Sequence, residues 1–299
     1  MTIRSGLCPA MLTAWGRDEL YDSATSERYI RWLIDNGVQA LSTCGSTGEN
    51  TAQYTSEQKQ IIEHVVKYVA GEVPVYAGTG KYSTLETIDL TSHAQAVGVD
   101  GVLIILPYYF KPYNLAAMNH FRAIRRAVEV PIILYNNPNF AGYELSTPEV
   151  KQLVDEGVIQ AVKAAHGDPE RVSDLKFTCG DVLTVFYGHD YAAFQGYAAG
   201  ADGWLSGFPA AFPKQCRQLQ DAIVVDGDLK KARRIWEKFI PFVDFFMDPE
   251  VNQRAHWLEM LKWAVTVQGV DIGVPRRPLG PLDEAIRDRM QAPLEVLLG

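Results

Sequence analysis

The chain has 299 residues, of which 47% are hydrophobic and 21% charged, and this size suits one α/β barrel or two smaller domains. Its net charge of −8 at pH 7 argues against a nucleic-acid or anionic-membrane partner. The start of the chain has no basic-then-apolar signal and no apolar run of membrane-spanning length, so we expect a cytoplasmic protein. Four scattered cysteines without a Cys-x-x-Cys pair predict neither a zinc site nor a disulfide framework.

Short apolar runs alternate with amphipathic, helix-prone runs along most of the chain. The runs predicted as strands are residues 7–15, 38–44, 73–77, 101–106, 131–135, 158–162, 182–187 and 203–206. The runs predicted as helices are residues 25–37, 55–69, 83–97, 115–128, 146–157, a segment from 168 onwards, 191–199 and 213–225. Each predicted strand is therefore followed by a predicted helix.

Eight strand–helix units favour a (β/α)8 TIM barrel. Most of the predicted strands are apolar without alternation, as expected for parallel strands buried on both faces. A doubly wound open sheet is the competing architecture, but no Gly-x-Gly-x-x-Gly follows the first strand. Residues 228–246, 251–267 and 282–298 are predicted to be helical. We therefore divide the chain into a barrel over residues 1–226 and a C-terminal helical extension over residues 227–299.

A lysine follows the sixth predicted strand, where Lys163 comes directly after an apolar run. Desolvation disfavours the charged form of a lysine, and a neutral amine can attack a carbonyl group. The alternative is a lysine that extends to the surface as the strand leaves the core. The active site of a TIM barrel lies at the carboxyl ends of the strands, and Lys163 falls at this end.

Other strand ends carry polar or aromatic residues that suit the same site. The second strand ends in a turn with Gly45, Ser46 and Thr47, a composition that can hold a small carboxylate, although it also fits an ordinary glycine-rich turn. The fifth strand ends at Tyr135, a phenol that can move protons during imine chemistry or simply pack at the barrel mouth. The eighth strand ends in Leu205 and Ser206.

These residues, in this order, resemble the dihydrodipicolinate synthase and N-acetylneuraminate lyase family of Schiff-base barrel enzymes. The resemblance covers residues 7 to about 226. The motifs that carry it are Gly-Ser-Thr-Gly-Glu at 45–49, Pro-Tyr-Tyr at 107–109, Tyr-Asn-Asn-Pro at 135–138, Val-Lys at 162–163 and Gly-His-Asp at 188–190.

The resemblance implies roles for particular residues. Lys163 would form an imine with the 2-oxo group of the substrate, and Tyr135 would relay protons. Ser46 and Thr47 would hold the substrate carboxylate and link to the tyrosine, with Gly45 beside them. Tyr109 would reach into the site of a neighbouring subunit. The resemblance also implies a homotetramer built as a dimer of dimers, and chemistry without a metal or an organic cofactor.

Departures from the family pattern guide the choice of substrate. Phe140 stands where the synthase branch has an arginine for the second carboxylate, and a phenyl ring cannot replace a guanidinium. Ala165 stands where the sialic-acid lyase branch has a threonine, and His189 differs from both branches. We expect Phe140, His189, Leu205 and Ser206 to contact the substrate, although His189 also fits a packing or surface histidine.

Three hypotheses for the function follow. The first is a lyase that acts on a small 2-oxo acid or its cyclic imine through Lys163, as a dehydratase, a deaminase or a pyruvate-dependent aldolase. Its substrates would include 2-oxo-3-deoxy sugar acids or 4-hydroxy-pyrroline-2-carboxylate. The second is dihydrodipicolinate synthase, with another residue binding the second carboxylate. The third is a non-catalytic protein that binds 2-oxo acids.

Overall fold

The computed structural model describes residues 3–299, which form one barrel of eight parallel strands with helices around it. The strands are β1 Leu7–Pro9, β2 Leu41–Thr43, β3 Val75–Gly78, β4 Gly101–Ile105, β5 Ile132–Asn136, β6 Ala161–Ala164, β7 Thr184–Tyr187 and β8 Gly203–Ser206. Their order is β1-β8-β7-β6-β5-β4-β3-β2, and a parallel bridge between Ala10 and Ser42 joins the two ends. This confirms the predicted (β/α)8 barrel.

The strands carry two apolar layers because both of their faces are buried. On β5, Ile133 and Tyr135 belong to the cluster inside the barrel, whereas Ile132 and Leu134 belong to the larger cluster between strands and helices. Side chains alternate between the two faces of a strand, so one apolar run serves both layers. This explains why the strands read as continuous apolar runs.

The helices surround the barrel and continue beyond it. They are α1 Ser23–Asp35, α2 Thr55–Val69, α3 Thr84–Ala96, α4 Asn114–Ala127, α5 Pro138–Ala141, α6 Thr147–Asp155, α7 Glu170–Cys179, α8 Ala193–Ala198, α9 Phe208–Ala211, α10 Pro213–Gln220, α11 Leu229–Met247, α12 Pro249–Asn252, α13 Trp257–Thr266 and α14 Glu284–Leu298. Ser146 and Glu149 form a capping box that begins α6 where the sequence predicted it. None of the helices within residues 3–299 combines the length and the apolar character needed to cross a bilayer.

The limits of every strand except β8 differ from the prediction, and the differences are largest for β1 and β6. Strand β1 ends at Pro9, and beyond it only a single bridge from Ala10 to Ser42 remains, with Met11 donating its N–H to the carbonyl of Ser42 at 2.8 Å. Strand β6 begins at Ala161 and includes Lys163, which the sequence placed after the strand. The reason is that Val158 and Ile159 pack in the outer apolar layer before the sheet pairing starts.

The C-terminal helices pack against the barrel through aromatic side chains. Phe208 of α9 lies between Phe239, Phe242 and Phe246 of α11, with ring centroids 5.3–6.3 Å apart. The single helix predicted over residues 251–267 is instead α12 and α13, separated by residues 253–256. The division at residue 226 stays a prediction, and residues 1 and 2 of the first unit lie outside the described part.

Candidate active site

Lys163 lies inside the barrel near the carboxyl ends of the strands. Its neighbours on the same face of β6, Ala161 and Ala165, belong to the interior cluster, and their small side chains leave room for the lysine. Only 4% of Lys163 is exposed. It pairs in register with Tyr135 of β5, and its Nζ lies 4.2 Å from the centroid of the Tyr135 ring. The amine is therefore held in a largely dry environment beside a phenol.

The turn after β5 holds the phenol of Tyr135 in place. The side-chain amide of Asn137 donates to the Tyr135 hydroxyl at 2.8 Å. The carbonyl oxygen of the same Asn137 side chain accepts hydrogen bonds from the N–H groups of Asn139 and Phe140, so it caps the short helix α5. Pro138 occupies the first turn of this helix, where a missing N–H costs little. One asparagine thus connects the phenol to the backbone.

The turn after β2 brings Ser46 and Thr47 to the same cavity as Lys163. The carbonyl of Gly48 accepts hydrogen bonds from the Thr13 hydroxyl at 2.7 Å and from the Gln53 amide at 2.6 Å, and these bonds hold the turn in place. Thr47 is 5% exposed. Two hydroxyl groups on a fixed turn can hold a carboxylate near the lysine.

His189 follows β7 and faces the cavity. Its Nε2 lies 3.4 Å from both the Tyr191 hydroxyl and the Asn139 side-chain amide. Burial lowers the pKa of His189 to about 4, and the nearby charge of Lys163 acts in the same direction. A hydrogen bond to the backbone of Ala165 opposes this shift without reversing it. His189 is therefore an uncharged polar group at neutral pH.

Asp190 is a buried acid near Lys163 that was not predicted as a site residue from the sequence. Its carboxylate accepts hydrogen bonds from the N–H groups of Phe208 at 2.9 Å and Gly207 at 3.3 Å. Burial raises the pKa of Asp190 to about 6, although these bonds, the Ser206 hydroxyl and the charge of Lys163 lower it. The signal was present in the sequence, because Asp190 belongs to the Gly-His-Asp motif.

The C-terminal helices form the far wall of the cavity, which has a volume of about 420 Å³. The wall residues are Phe246, Met247, Asn252, Ala255, His256 and Trp257. None of them was predicted from the sequence, because the helical pattern of residues 228–246 and 251–267 does not show that these helices pack over the cavity. The Asp-Pro pair at residues 248–249 separates these helices as predicted, but it does not indicate which side chains reach the cavity.

The family relationship of the chain extends over both the barrel and the C-terminal helices. The model of the dihydrodipicolinate synthetase family matches residues 4–297. The chain belongs to this family. The match extends beyond residue 226, where the resemblance seen in the sequence ended, so the C-terminal helices are part of the family pattern.

Relatives within the dihydrodipicolinate synthetase family agree in sequence and in fold. The chain is 36% identical over 282 residues to the 4-hydroxy-tetrahydrodipicolinate synthase of Pelobacter propionicus, covering 94% of each chain. It matches the crystal structure of a dihydrodipicolinate synthase from Bacillus anthracis with a TM-score of 0.90 and 31% identity over 99% of each chain. The prophage protein YagE of E. coli K12, solved in complex with pyruvate, gives a TM-score of 0.91 at 28% identity over 99% of each chain.

Membership of this family makes the protein an enzyme of the Schiff-base-forming lyase class. The hypothesis of a non-catalytic binding protein is therefore set aside. The family establishes the class of reaction, whereas the substrate depends on the residues around the cavity.

Most of the residues predicted for the site meet at one cavity. Its walls include Ser46, Thr47, Tyr135, Phe140, Lys163, His189 and Ser206. Three predicted residues lie elsewhere. Gly45 is buried within the turn, and Leu205 is fully buried in the interior cluster, whereas its neighbour Ser206 lines the cavity. Tyr109 is 85% exposed on a loop outside the cavity.

A second cavity of about 500 Å³ adjoins the first and shares Ser46, Asn139, Phe140, His256 and Trp257 with it. Its other walls are mostly apolar and include Ile105, Leu258 and Leu279. Across residues 3–299, no group of three or more His, Cys, Asp or Glu side chains is arranged to hold a metal ion.

Proposed function

We propose that the protein is a lyase that binds a small 2-oxo acid, or its cyclic imine, as a Schiff base on Lys163. The observation that carries this proposal is the buried Lys163 amine, 4.2 Å from the ring centroid of Tyr135, in a cavity lined by Ser46 and Thr47. In this arrangement the carboxylate of the substrate would bind Ser46 and Thr47, which directs its carbonyl carbon towards the amine.

The reaction begins when the Lys163 amine attacks C2 of the substrate. The resulting carbinolamine takes a proton from the Tyr135 hydroxyl, loses water and becomes a protonated imine. A cyclic imine reaches the same state when its ring nitrogen leaves C2 as an amine. The imine withdraws electrons, so C3 can lose a proton and the enamine can expel a protonated hydroxyl group from C4. In aldol cleavage the C4 hydroxyl instead loses its proton as the C3–C4 bond breaks, so C4 leaves as a carbonyl compound and the electron pair of the broken bond passes to the imine nitrogen.

The distal part of the cavity favours a substrate with one carboxylate and an uncharged far end. Among the cavity-lining residues in the described chain, Lys163 is the only lysine or arginine. Phe140 offers a ring at the position of the family's arginine, and His189 is neutral because its pKa is lowered to about 4. Hydroxylated substrates such as 2-oxo-3-deoxy sugar acids or 4-hydroxy-pyrroline-2-carboxylate fit this environment.

A second candidate is 4-hydroxy-tetrahydrodipicolinate synthase, and the name shared by the relatives favours it. This enzyme needs a cation for the carboxylate of its second substrate. Arg276 lines the adjoining cavity, but its guanidinium already binds Glu57 at 2.6 and 2.9 Å and the backbone carbonyls of Glu19 and Ala52. This arginine is therefore poorly suited to the task, and the first candidate is preferred.

We also propose that the protein assembles as a homotetramer in which Tyr109 approaches a neighbouring subunit. Tyr109 has φ +74° and projects beside Phe110, with the ring centroids 4.9 Å apart. Both side chains are mostly exposed, as is Tyr113 on the same loop. An exposed aromatic patch of this kind is typical of an interface. Light scattering should give four times the mass of one chain, and a monomer would contradict this proposal.

Borohydride reduction in the presence of pyruvate tests the Schiff base. Mass spectrometry of the digested protein should find one reduced pyruvate adduct on Lys163, and the Lys163→Ala variant should give none. An adduct on another residue, or no adduct, would refute the proposal. A panel of 2-oxo-3-deoxy sugar acids, the pyrroline substrate and pyruvate with aspartate semialdehyde then separates the two candidates, since efficient turnover of the aldehyde would favour the synthase.

A further inference from the structure

The turn that carries Ser46 and Thr47 ends in Glu49, a buried acid with no contact to the lysine nucleophile. Its Oε1 accepts hydrogen bonds from Trp15 Nε1 and Lys262 Nζ, both at 2.9 Å. Its Oε2 accepts one from the backbone N–H of Arg276 at 2.8 Å. Glu49 is 4% exposed and has φ +62°. Three partners from different parts of the chain therefore hold Glu49 in place. The backbone N–H of Glu49 in turn donates to the carbonyl of Ser46 at 3.0 Å.

Lys262 connects this turn to the C-terminal helices. It lies on α13 and is 1% exposed, and its Nζ also donates to the carbonyl of Val274 at 3.1 Å. The same helix begins at Trp257, which lines the cavity together with His256. The ion pair thus joins the Ser46–Thr47 turn to the helix whose first residue, Trp257, also lines the cavity.

The energetics of the Glu49–Lys262 ion pair favour a role in positioning over a role in stabilising the fold. Removing two charges from water is costly, and a buried ion pair is weak evidence for stability. Burial lowers the pKa of Lys262 to about 8, even though Glu49 opposes this shift. What the pair offers instead is geometry, because breaking it leaves one buried charge without a partner and forces the turn or the helix to move.

We propose that Glu49 and Lys262 are positioning residues that fix the carboxylate-binding turn relative to the helical wall of the cavity. The C-terminal helices then belong to the catalytic unit rather than serving only as a scaffold. This inference rests on the proposed function, since it assumes that the Ser46–Thr47 turn binds the substrate carboxylate. Neither residue of the pair lines the cavity that holds Lys163, so loss of the pair should weaken binding more than it slows the chemical step.

Three variants test the pair. Lys262→Met keeps the aliphatic part of the side chain but removes its charge, and Glu49→Gln keeps the size of the side chain but removes its charge. Trp15→Phe removes one hydrogen bond to Glu49. The measurement is the pyruvate concentration that gives half-maximal borohydride trapping on Lys163, with the maximal trapping rate as a second readout. We expect the half-maximal concentration to rise about tenfold for the charge variants and about threefold for Trp15→Phe, with the maximal rate within about twofold of wild type.

The matched control is Glu156→Gln, which removes the ion-pair partner of Arg122. Glu156 lines neither cavity and binds no partner of Glu49, so this variant should melt at a lower temperature with unchanged pyruvate affinity. Lys262→Arg should recover part of the lost affinity. Unchanged affinity in all three test variants, or an equal loss in Glu156→Gln, would overturn the inference. If the charge variants do not fold, Trp15→Phe decides.

Failure of the proposed function would be seen in the wild-type protein, which would then show no pyruvate adduct on Lys163. That result would overturn both the proposed function and the positioning role of Glu49 and Lys262.

Discussion

Removal of one hydroxyl group, in the variant Tyr135→Phe, tests the proposed chemistry most directly. The ring stays, so its packing against the Lys163 amine at 4.2 Å is kept. The folded state loses the hydrogen bond from the Asn137 amide at 2.8 Å, which should lower the free energy of unfolding by about 1 kcal/mol. Loss of a general acid–base group should lower turnover by about a hundredfold or more, which corresponds to about 2.7 kcal/mol in the activation free energy.

The assay compares turnover with thermal stability in Tyr135→Phe and Tyr76→Phe. Tyr76 is a matched control, because it is also buried in the barrel interior but donates its hydroxyl to the carbonyl of Arg4 at 2.7 Å, far from the strand ends. Both variants should lose similar stability, and only Tyr135→Phe should lose activity. Turnover within about threefold of wild type would remove Tyr135 from the proton transfer, whatever happened to stability.

Other changes probe the charges of the cavity. Phe140→Arg should raise turnover with aspartate semialdehyde and lower it with hydroxylated 2-oxo acids by about tenfold. An unchanged ratio of kcat/KM between these two substrates would exclude Phe140 as a selectivity residue. His189→Phe should lower kcat/KM for hydroxylated substrates by about tenfold while leaving pyruvate trapping intact, and equal losses in both assays would argue for a structural role. The raised pKa of Asp190, about 6, means that the folded state binds this proton more tightly than the unfolded chain. Its contribution to stability is therefore present below about pH 4 and lost as pH rises through 6. Asp190→Asn should reduce this dependence in urea unfolding between pH 4 and 8, and an unchanged dependence would show that another group causes it.

The sequence by itself determined the barrel and the location of its active end. Eight apolar runs, each followed by a helix, leave few arrangements, because parallel strands need crossovers and both faces of each strand must be buried. In such a barrel the carboxyl ends of the strands meet on one side. This is why Ser46, Tyr135, Lys163 and His189, far apart in sequence, could be assigned to one site.

Only the tertiary structure decided which side chains face the cavity. Ser206, at the carboxyl end of β8, lines the cavity, whereas Leu205 is buried in the interior cluster together with Tyr135, which does reach the cavity. The wall formed by His256 and Trp257 depends on helices that follow the barrel in sequence and fold back over its mouth. Local patterns carry no information about such contacts, because they depend on which distant surfaces pack together.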